Sequence, residues 1–202
     1  MPIDFYFDFI SPYSYLAVQR LSAFPALADM HWMPVNLPKL IKDAGNTPPA
    51  ACRPKALYMM QDLKRWAARL DVPFRLIRPG SFDARPALSL ACMLEDADRI
   101  RFCTVVFGAI WSGAVDPVHE PDWLSRIVGS TGMPEAWLAL NPDQGKVLLK
   151  ENTAAALKAG CFGAPTFVLR GEGRPQLFWG VDRMDVLDAA LRKAAERATT
   201  TS

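Results

Sequence analysis

The 202-residue sequence predicts one α/β unit in which a long helical insertion separates a β-α-β half from a β-β-α half. Three observations support this prediction. Residues 3–9 alternate in the manner of a strand, residues 166–179 contain two more short β-type runs, and residues 40–160 show only helical spacing of apolar residues. We therefore expect a single sheet that is built from the two ends of the chain.

The first half predicts a strand, a helix and a second strand. Residues 3–9 (IDFYFDF) place a polar residue or tyrosine at every second position, which is typical of a strand. Ser11 and Pro12 then suit the cap and the first turn of a helix that runs to about Leu21. Residues 31–37 are a second extended segment. If the two strands are parallel, their connection is right-handed.

The middle of the chain is helical throughout. The predicted helices cover residues 56–70, 87–94, 100–111, more weakly 122–140, and 144–159. No linker rich in proline, glycine or serine separates this block from the rest. We therefore predict that residues 1–39 and 161–202 form the sheet-containing domain, and that residues 40–160 form a helical insertion domain.

The last part of the chain returns to β structure. Residues 166–170 and 176–179 predict a hairpin whose turn is Gly171-Glu172-Gly173. An amphipathic pattern from Met184 to Ala198 then predicts a final helix.

The composition excludes several classes of protein. With 50% hydrophobic and 22% charged residues, the chain can form a sizeable core and is not disordered. Its net charge of +2, without a dense basic run, argues against a nucleic-acid partner. Its longest apolar stretch, residues 103–111, is about half the length of a membrane span. The first residues do not resemble a signal peptide, so we expect a cytoplasmic protein without a membrane partner.

The four cysteines do not form a metal-binding or redox motif. Cys52, Cys92, Cys103 and Cys161 are scattered, no two are spaced as C-x-x-C, and the chain has only two histidines. We therefore expect no metal site, and we interpret the first three thiols as small buried side chains. Cys161 stays open between a packed residue and a thiol near the functional site, because it lies just before Pro165.

Five segments of the sequence carry a family resemblance. They are DFYFDFISPYSYLA (residues 4–17), GNTPP (45–49), PKALY with DLKRW (54–66), FGAPTF (162–167) and WGVDR (179–183). In this order they resemble the 2-hydroxychromene-2-carboxylate isomerases and the kappa-class glutathione transferases, which belong to the DsbA-like branch of the thioredoxin folds. The resemblance covers nearly the whole chain. It implies a thioredoxin-like fold with a helical insertion, glutathione as cofactor, and a homodimer.

Ser11 is the catalytic candidate that this resemblance implies. Redox-active thioredoxin folds carry a cysteine at this helix N-terminus, whereas residues 11–14 here read SPYS, so the site cannot cycle a disulfide of its own. The resemblance implies that the Ser11 hydroxyl donates a hydrogen bond to the glutathione thiolate. The alternative is that Ser11 only caps the helix.

The resemblance also implies a set of glutathione-binding residues: Asn46, Lys55, Ala164, Pro165, Val181 and Asp182. Ala164 would pair its backbone with the cysteinyl unit of glutathione before a cis Pro165, and Asp182 would receive the γ-glutamyl ammonium. Each has a plainer alternative. Asn46 suits a turn, Lys55 a solvated surface position, and Asp182 the N-cap of the last helix.

Two residues are candidates for contact with the substrate. Arg85 would either meet a substrate carboxylate or lie on the surface without contact to a ligand, and Trp111 would either line an apolar pocket for an aromatic compound or pack in the core. The implied function is a glutathione-dependent isomerase of a small aromatic-catabolism intermediate. A kappa-like glutathione transferase and a non-catalytic thioredoxin-like binding module remain alternatives. Ser11 and Ser14 disfavour a disulfide oxidoreductase.

Overall fold

The computed structural model describes residues 2–78, 80–171 and 174–200, and it contains the predicted single sheet. Its strands are β1 (Ile3–Phe7), β2 (His31–Pro34), β3 (Thr166–Leu169) and β4 (Gln176–Trp179), in the spatial order β2-β1-β3-β4. Strand β1 is parallel to β2 and antiparallel to β3, and β3 is antiparallel to β4. Glu172 and Gly173 of the predicted hairpin turn lie outside the described residues.

Helices make up most of the remaining described chain. They are α1 (Pro12–Arg20), α2 (Leu37–Asp43), α3 (Arg53–Leu70), α4 (Arg85–Met93), α5 (Asp96–Ser112), α6 (Trp123–Ser130), α7 (Pro142–Lys158) and α8 (Met184–Thr200). Short 3₁₀ turns cover Leu21–Ala23, Pro25–Leu27, Pro49–Ala51, Glu135–Ala139 and Val181–Arg183. None of the helices described here has both the length and the apolar character that a bilayer crossing needs.

The first and third strands are one or two residues shorter than predicted, and two other predicted elements depart further from expectation for local reasons. The second strand ends at Pro34 rather than at residue 37, because Asn36 caps α2 by accepting a hydrogen bond from the Lys39 N–H at 3.1 Å. The weak helix predicted over 122–140 divides into α6 and a 3₁₀ turn, since Gly132 between them adopts a positive φ of 66°.

Strand β1 is buried along its whole length, although its sequence alternates. One face packs aromatic rings into the main core, where Phe5 stacks on Phe167 with ring centroids 4.9 Å apart. The other face belongs to a smaller cluster that includes Tyr6, Leu40 of α2 and Ala156 of α7. Helices of the 40–160 block therefore cover the second face, which makes β1 a central strand rather than a half-exposed one.

The polar side chains of Asp4 and Tyr6 on β1 form hydrogen bonds beneath the helices that cover this face. The buried Asp4 carboxylate accepts hydrogen bonds from Arg170 Nε at 2.6 Å and from the Tyr6 hydroxyl at 3.2 Å. Burial, with the neighbouring Asp4 charge, raises the pKa of Tyr6 to about 12. The polar residues that alternate along β1 are thus hydrogen-bonded inside the protein and do not form a solvent-exposed face of the sheet.

Candidate active site

Ser11 lies at the N-terminus of α1, in the turn that follows β1. Its side chain is buried, with 4% of the residue exposed, and its hydroxyl oxygen accepts a hydrogen bond from the Ser14 N–H at 3.1 Å. The same hydroxyl donates to the Ala164 carbonyl at 3.2 Å. The predicted helix cap is therefore confirmed. The positive end of the α1 dipole also points at this position, where it favours a negative charge.

The Ala164–Pro165 peptide bond is cis, as predicted. The loop that contains it is held on two sides, because Thr166 Oγ1 donates to the Gly163 carbonyl at 2.7 Å and the Gly180 N–H donates to the Pro165 carbonyl at 2.9 Å. Ala164 itself is half-buried. Its carbonyl lies beside the Ser11 hydroxyl, and the residue as a whole is partly exposed.

Gly163 permits a close approach in the same loop. A Cβ atom at this position would lie 2.8 Å from the indole nitrogen of Trp179, so only glycine lets the exposed Trp179 ring pack here. Trp179 also contacts Phe162, with ring centroids 5.0 Å apart. An exposed aromatic pair thus borders the cis-proline loop.

Asn46 forms a hydrogen bond to the segment that leads into this loop. Its side-chain nitrogen donates to the Phe162 carbonyl at 3.2 Å, while its side-chain oxygen accepts from the Thr47 N–H at 2.8 Å. The bond to the Thr47 N–H is typical of a turn residue, which is the alternative to glutathione binding that the sequence analysis gave for Asn46. The bond to the Phe162 carbonyl places the exposed Asn46 amide next to the residues that precede Pro165.

Asp182 is exposed and lies inside the 3₁₀ turn Val181–Arg183, so it is not the N-cap of α8, which begins at Met184. Its carboxylate pairs with the Arg183 guanidinium at 2.8 Å. Among the hydrogen bonds of the described residues, none runs from a backbone N–H to this carboxylate. The cap interpretation of Asp182 is therefore wrong, and the carboxylate stays accessible.

Arg20 is a residue that the sequence analysis missed. It is buried at the end of α1, donates to the Val181 carbonyl at 2.5 Å, and pairs with Asp185 at 3.1 Å. Its guanidinium also lies over the rings of Phe24 and Trp66. Arg20 thus holds the turn that carries Asp182. The sequence could have indicated Arg20, because it is the single charged residue of α1.

Helix α3 reaches the same region through Tyr13. The Tyr13 hydroxyl donates to the Asp62 carboxylate at 2.9 Å. Burial, this hydrogen bond, and the charges of Asp62, Tyr58 and Asp182 raise the pKa of Tyr13 well above its usual value. Lys55 precedes Tyr58 by about one helical turn, is exposed, and forms no ion pair with any residue that the structure describes. Its ammonium is thus exposed and unpaired among the described residues, and no contact of these residues joins it to Ser11 or Ala164.

A cavity of about 220 Å³ adjoins Ile10, the residue before Ser11. It is lined by Asp8, Ile10, Asn36, Pro38, Phe82, Asp83, Ala84, Arg85 and Leu88. The predicted substrate residue Arg85 therefore lies at this cavity. Its guanidinium forms several hydrogen bonds to the Asp83 carboxylate at 2.7–3.0 Å, so a substrate carboxylate would compete with Asp83 for it.

Asp8 is the buried acid of this cavity, with 2% of the residue exposed. Burial raises the pKa of its carboxyl to about 7, even though the backbone N–H groups of Leu37 and Ile10 donate to it at 2.8 and 3.1 Å. These two bonds tie the turn before Ser11 to the start of α2. The sequence analysis did not identify Asp8 as a site residue. It could have been noticed as an acidic residue at the end of a strand that is rich in aromatic residues.

Trp111, the second substrate candidate, is instead a core residue. It is 2% exposed, its indole N–H donates to the Phe9 carbonyl at 3.0 Å, and its ring stacks on Phe74 with centroids 5.9 Å apart. A side chain enclosed in this way cannot line a pocket for a substrate. Its bond to Phe9 supports the turn that leads to Ser11.

Three of the four cysteines are packed side chains, whereas Cys52, which the sequence analysis interpreted as buried, is exposed. Cys161 lies in the smaller core cluster with Tyr6 and Val168, and burial raises the pKa of its thiol to about 12. Burial does the same for Cys92, and it raises the pKa of Cys103 well above the usual value. The packed interpretation of Cys161 is the one that the structure supports. Across the described residues, no group of three His, Cys, Asp or Glu side chains is placed to hold a metal ion.

Comparison with known proteins identifies the family to which the chain belongs. A model of the DSBA-like thioredoxin domain matches residues 2–192. The chain is 34% identical to a 2-hydroxychromene-2-carboxylate isomerase of Sphingobium xenophagum, over 94% of this chain and 97% of the relative. It is 29% identical to glutathione S-transferase kappa 1 of Caenorhabditis elegans, over 95% and 91% of the two chains. A solved structure of a 2-hydroxychromene-2-carboxylate isomerase superposes with a TM-score of 0.81 over the full length of both chains, at 27% identity.

Proposed function

The chain belongs to the DSBA-like thioredoxin domain family and is an enzyme, and from this premise we propose that it is a glutathione-dependent isomerase of an aromatic-catabolism intermediate. The observation that carries the proposal is the Ser11 hydroxyl, which stands at the N-terminus of α1 and bonds to the residue before the cis proline. A hydroxyl at this place can stabilise a thiolate brought by a ligand, but it cannot form a disulfide.

The charges and backbone groups of the candidate residues support an assignment to glutathione. Glutathione has an ammonium group, two carboxylates and peptide amides, and the site offers the exposed Asp182 carboxylate, the exposed Lys55 ammonium and the half-buried Ala164 backbone. We assign Asp182 and the Val181 N–H to the γ-glutamyl end, since the Val181 carbonyl is occupied by Arg20. Lys55 and the Asn46 amide would hold carboxylate or carbonyl oxygens, and Ala164 with Pro165 would hold the cysteinyl unit.

When bound, glutathione would supply a thiolate that adds reversibly to a conjugated carbon, which allows rotation about a former double bond. The residues of the chain make this possible in two ways. The Ser11 hydroxyl and the α1 dipole lower the pKa of the thiol, which in a free cysteine is about 8.5, so that more of it is ionised near neutral pH. Arg85 exchanges Asp83 for a substrate carboxylate and orients the substrate in the cavity beside Ile10.

A kappa-like glutathione transferase is the second candidate, and the 29% identity to glutathione S-transferase kappa 1 supports it. Both activities use the same stabilised thiolate. They differ in whether glutathione is returned, because an isomerase releases it unchanged and a transferase leaves it on the product. A non-catalytic binding module, the third candidate, would bind glutathione weakly and would not lower the pKa of its thiol.

The test is to incubate the protein with 2-hydroxychromene-2-carboxylate and far less than one equivalent of glutathione. We expect isomerisation to reach equilibrium after many turnovers per glutathione, with all of the glutathione recovered as the free thiol. Conversion that stops when the glutathione has been consumed would identify a transferase, and a chloronitrobenzene electrophile should confirm it. If neither substrate reacts faster than with glutathione alone, the enzymatic proposal is wrong.

We also propose that the protein is a cytoplasmic homodimer that acts on a small molecule. The isomerase and transferase relatives, which match along nearly their whole length, support an assignment to a small-molecule substrate. Light scattering of the purified protein would give the mass of the assembly, and a monomeric mass would contradict the dimer.

A further inference from the structure

A second cavity, of about 380 Å³, lies within the helical block, between α4, α6, the 3₁₀ turn Glu135–Ala139 and the start of α7. Its volume falls near the lower end of the range for small-molecule pockets, about 300–1,000 Å³, whereas the cavity beside Ile10 is smaller. None of the residues that we assign to glutathione lines it. The cavity is therefore a candidate site of its own.

Most of the wall of this cavity is apolar. Leu90 of α4 and Leu124 of α6 contribute aliphatic side chains. Trp137 contributes a half-buried ring that meets Phe102 edge to face, with centroids 6.2 Å apart. Leu138, which follows Trp137, remains 40% exposed. Such a wall binds the hydrophobic body of a small ligand, and the indole favours an aromatic one.

The charged side chains of the cavity favour an anion. Arg85 and Lys146 line it, and Asp83 is the one acid among the described residues that do so. Asp83 is already paired with Arg85. Lys146 has only an exposed pair with Asp143, at 2.9 Å, and a pair of this kind contributes little. A carboxylate in the cavity can therefore replace Asp143 as the partner of Lys146 at small cost.

Ser89 adds a hydrogen-bonding group without a partner. The residue lines the cavity and is 4% exposed, yet its hydroxyl forms no hydrogen bond with any residue that the structure describes. The large majority of buried side-chain polar atoms in proteins have such a partner. An oxygen of a ligand in the cavity would supply the partner that Ser89 lacks.

We propose that this cavity is a second ligand site, which takes a small aromatic carboxylate of one or two rings. The rings lie against the apolar wall beside Trp137. The carboxylate accepts hydrogen bonds from the Lys146 ammonium and the Ser89 hydroxyl. The site does not depend on glutathione, because it shares no residue with the proposed glutathione site.

The Asp83–Arg85 pair lines this cavity and also the cavity beside Ile10. The two cavities therefore adjoin the same ion pair. Because Arg85 faces both of them, its replacement cannot tell the two sites apart. Lys146 and Ser89 line only the second cavity, so variants of these two residues test the proposal.

The test is an NMR titration of the protein with 2-naphthoate and with its neutral analogue 2-naphthamide, both without glutathione. The wild type should bind 2-naphthoate about 5-fold more tightly, because only this probe offers a charge to Lys146. Lys146→Gln should weaken 2-naphthoate binding about 5-fold and leave 2-naphthamide within about 2-fold. Ser89→Ala should weaken both probes about 3-fold, since each has an oxygen that accepts from the hydroxyl.

Lys150→Gln is the matched control. Lys150 is exposed on α7, about one turn after Lys146, and does not line the cavity. The variant makes the same change in net charge and should leave both affinities within about 2-fold. Equal losses for Lys146→Gln and Lys150→Gln would reveal a general effect of charge and would overturn the site.

Three other results would also overturn the proposal. The first is that the wild type does not bind 2-naphthoate, or binds both probes equally well. The second is that Arg85→Gln weakens 2-naphthoate binding while Lys146→Gln does not, which would place the probe in the cavity beside Ile10. The third is an affinity that falls as the protein concentration rises, which would show that a second copy of the chain covers the cavity.

Discussion

Ser11 has an observed structural role and a proposed chemical role in one hydroxyl group. As the cap of α1 it satisfies the Ser14 N–H, and it also contacts the Ala164 carbonyl, beside which the proposed function places a cysteinyl sulfur. Replacement by alanine should therefore affect both roles by different amounts. Loss of the cap costs about 1 kcal/mol of folding stability, whereas loss of a donor to a thiolate costs about 1.5–3 kcal/mol.

The Ser11→Ala variant should raise the pKa of the thiol of bound glutathione by roughly 1–2 units and slow isomerisation about 10- to 100-fold near neutral pH. The α1 dipole remains, so the activity does not vanish. The measurement is the ultraviolet absorbance of the thiolate against pH, for both proteins saturated with glutathione. Superimposable titration curves would reduce Ser11 to a helix cap.

The Asp182→Asn variant should weaken glutathione binding by about 10- to 100-fold while leaving the folding stability nearly unchanged. The ammonium of the ligand loses its counter-charge. The fold loses only an exposed pair with Arg183, which contributes little. Calorimetric titration gives the affinity, and urea unfolding gives the stability. Asp143→Asn, an exposed acid of α7 that pairs with Lys146, is the control and should change neither.

Asp8 should make the stability depend on pH. Because the folded protein raises the pKa of Asp8 to about 7 from its ordinary 3.8, the folded state holds this proton more tightly than the unfolded state does. The free energy of unfolding should therefore fall as the pH rises from about 4 to 7, by an amount on the order of 4 kcal/mol. Urea unfolding at several pH values checks this, with the Asp8→Asn variant as comparison. An equal slope for the two proteins would show that Asp8 is not the cause.

At the scale of elements, α1 joins the parts of the site. Its first turn carries Ser11 as cap and its last turn carries Arg20, which holds the carbonyl of Val181. The turn before it is tied down by Asp8 and by the indole of Trp111. A single short helix thus fixes the position of Ser11 relative to the segment that carries Asp182, and the core behind it keeps that arrangement rigid.

The packing of α4 against α7 depends on Gly145. A Cβ atom at this position would lie 2.6 Å from the Ser89 carbonyl oxygen and 2.9 Å from the Ser89 Cβ, so Gly145→Ala should destabilise the protein by about 1–3 kcal/mol. Gly108 of α5 is the matched control, because a Cβ there meets no atom of the described residues within 4 Å. Gly108→Ala should stabilise by about 0.5–1 kcal/mol through helix propensity. Thermal unfolding of both variants measures the difference, and equal effects would contradict the packing argument.

At the scale of the whole molecule, the four cysteines are free thiols and none pairs with another. Cys92, Cys103 and Cys161 are buried with raised pKa values, and the exposed Cys52 has no cysteine at C-x-x-C spacing. The protein should therefore fail to accelerate the reduction of insulin by dithiothreitol. The double variant Ser11→Cys with Ser14→Cys restores the C-x-x-C spacing and should gain this activity. Acceleration by the wild type would contradict the absence of a redox site.

The sequence by itself determined what local signals encode. The order of strands and helices, the cap at Ser11 and the packed state of most cysteines follow from periodicity, capping chemistry and burial preference. The cis bond at Pro165 followed from the family motif around it. Each of these depends on neighbouring residues or on a motif of a few residues.

Only the tertiary structure decided which of these segments meet. In the structure both faces of β1 are enclosed and Trp111 lies in the core. Asp182 lies in an exposed turn held by Arg20, whereas the sequence had suggested a helix cap. The fold also joins Ser11 to Ala164 across 153 positions of the chain. The physical reason is that periodicity reports which face of an element is apolar, but not which partner covers that face. The Ser11–Ala164 bond, which joins the two halves of the candidate site, is a contact of this long-range kind.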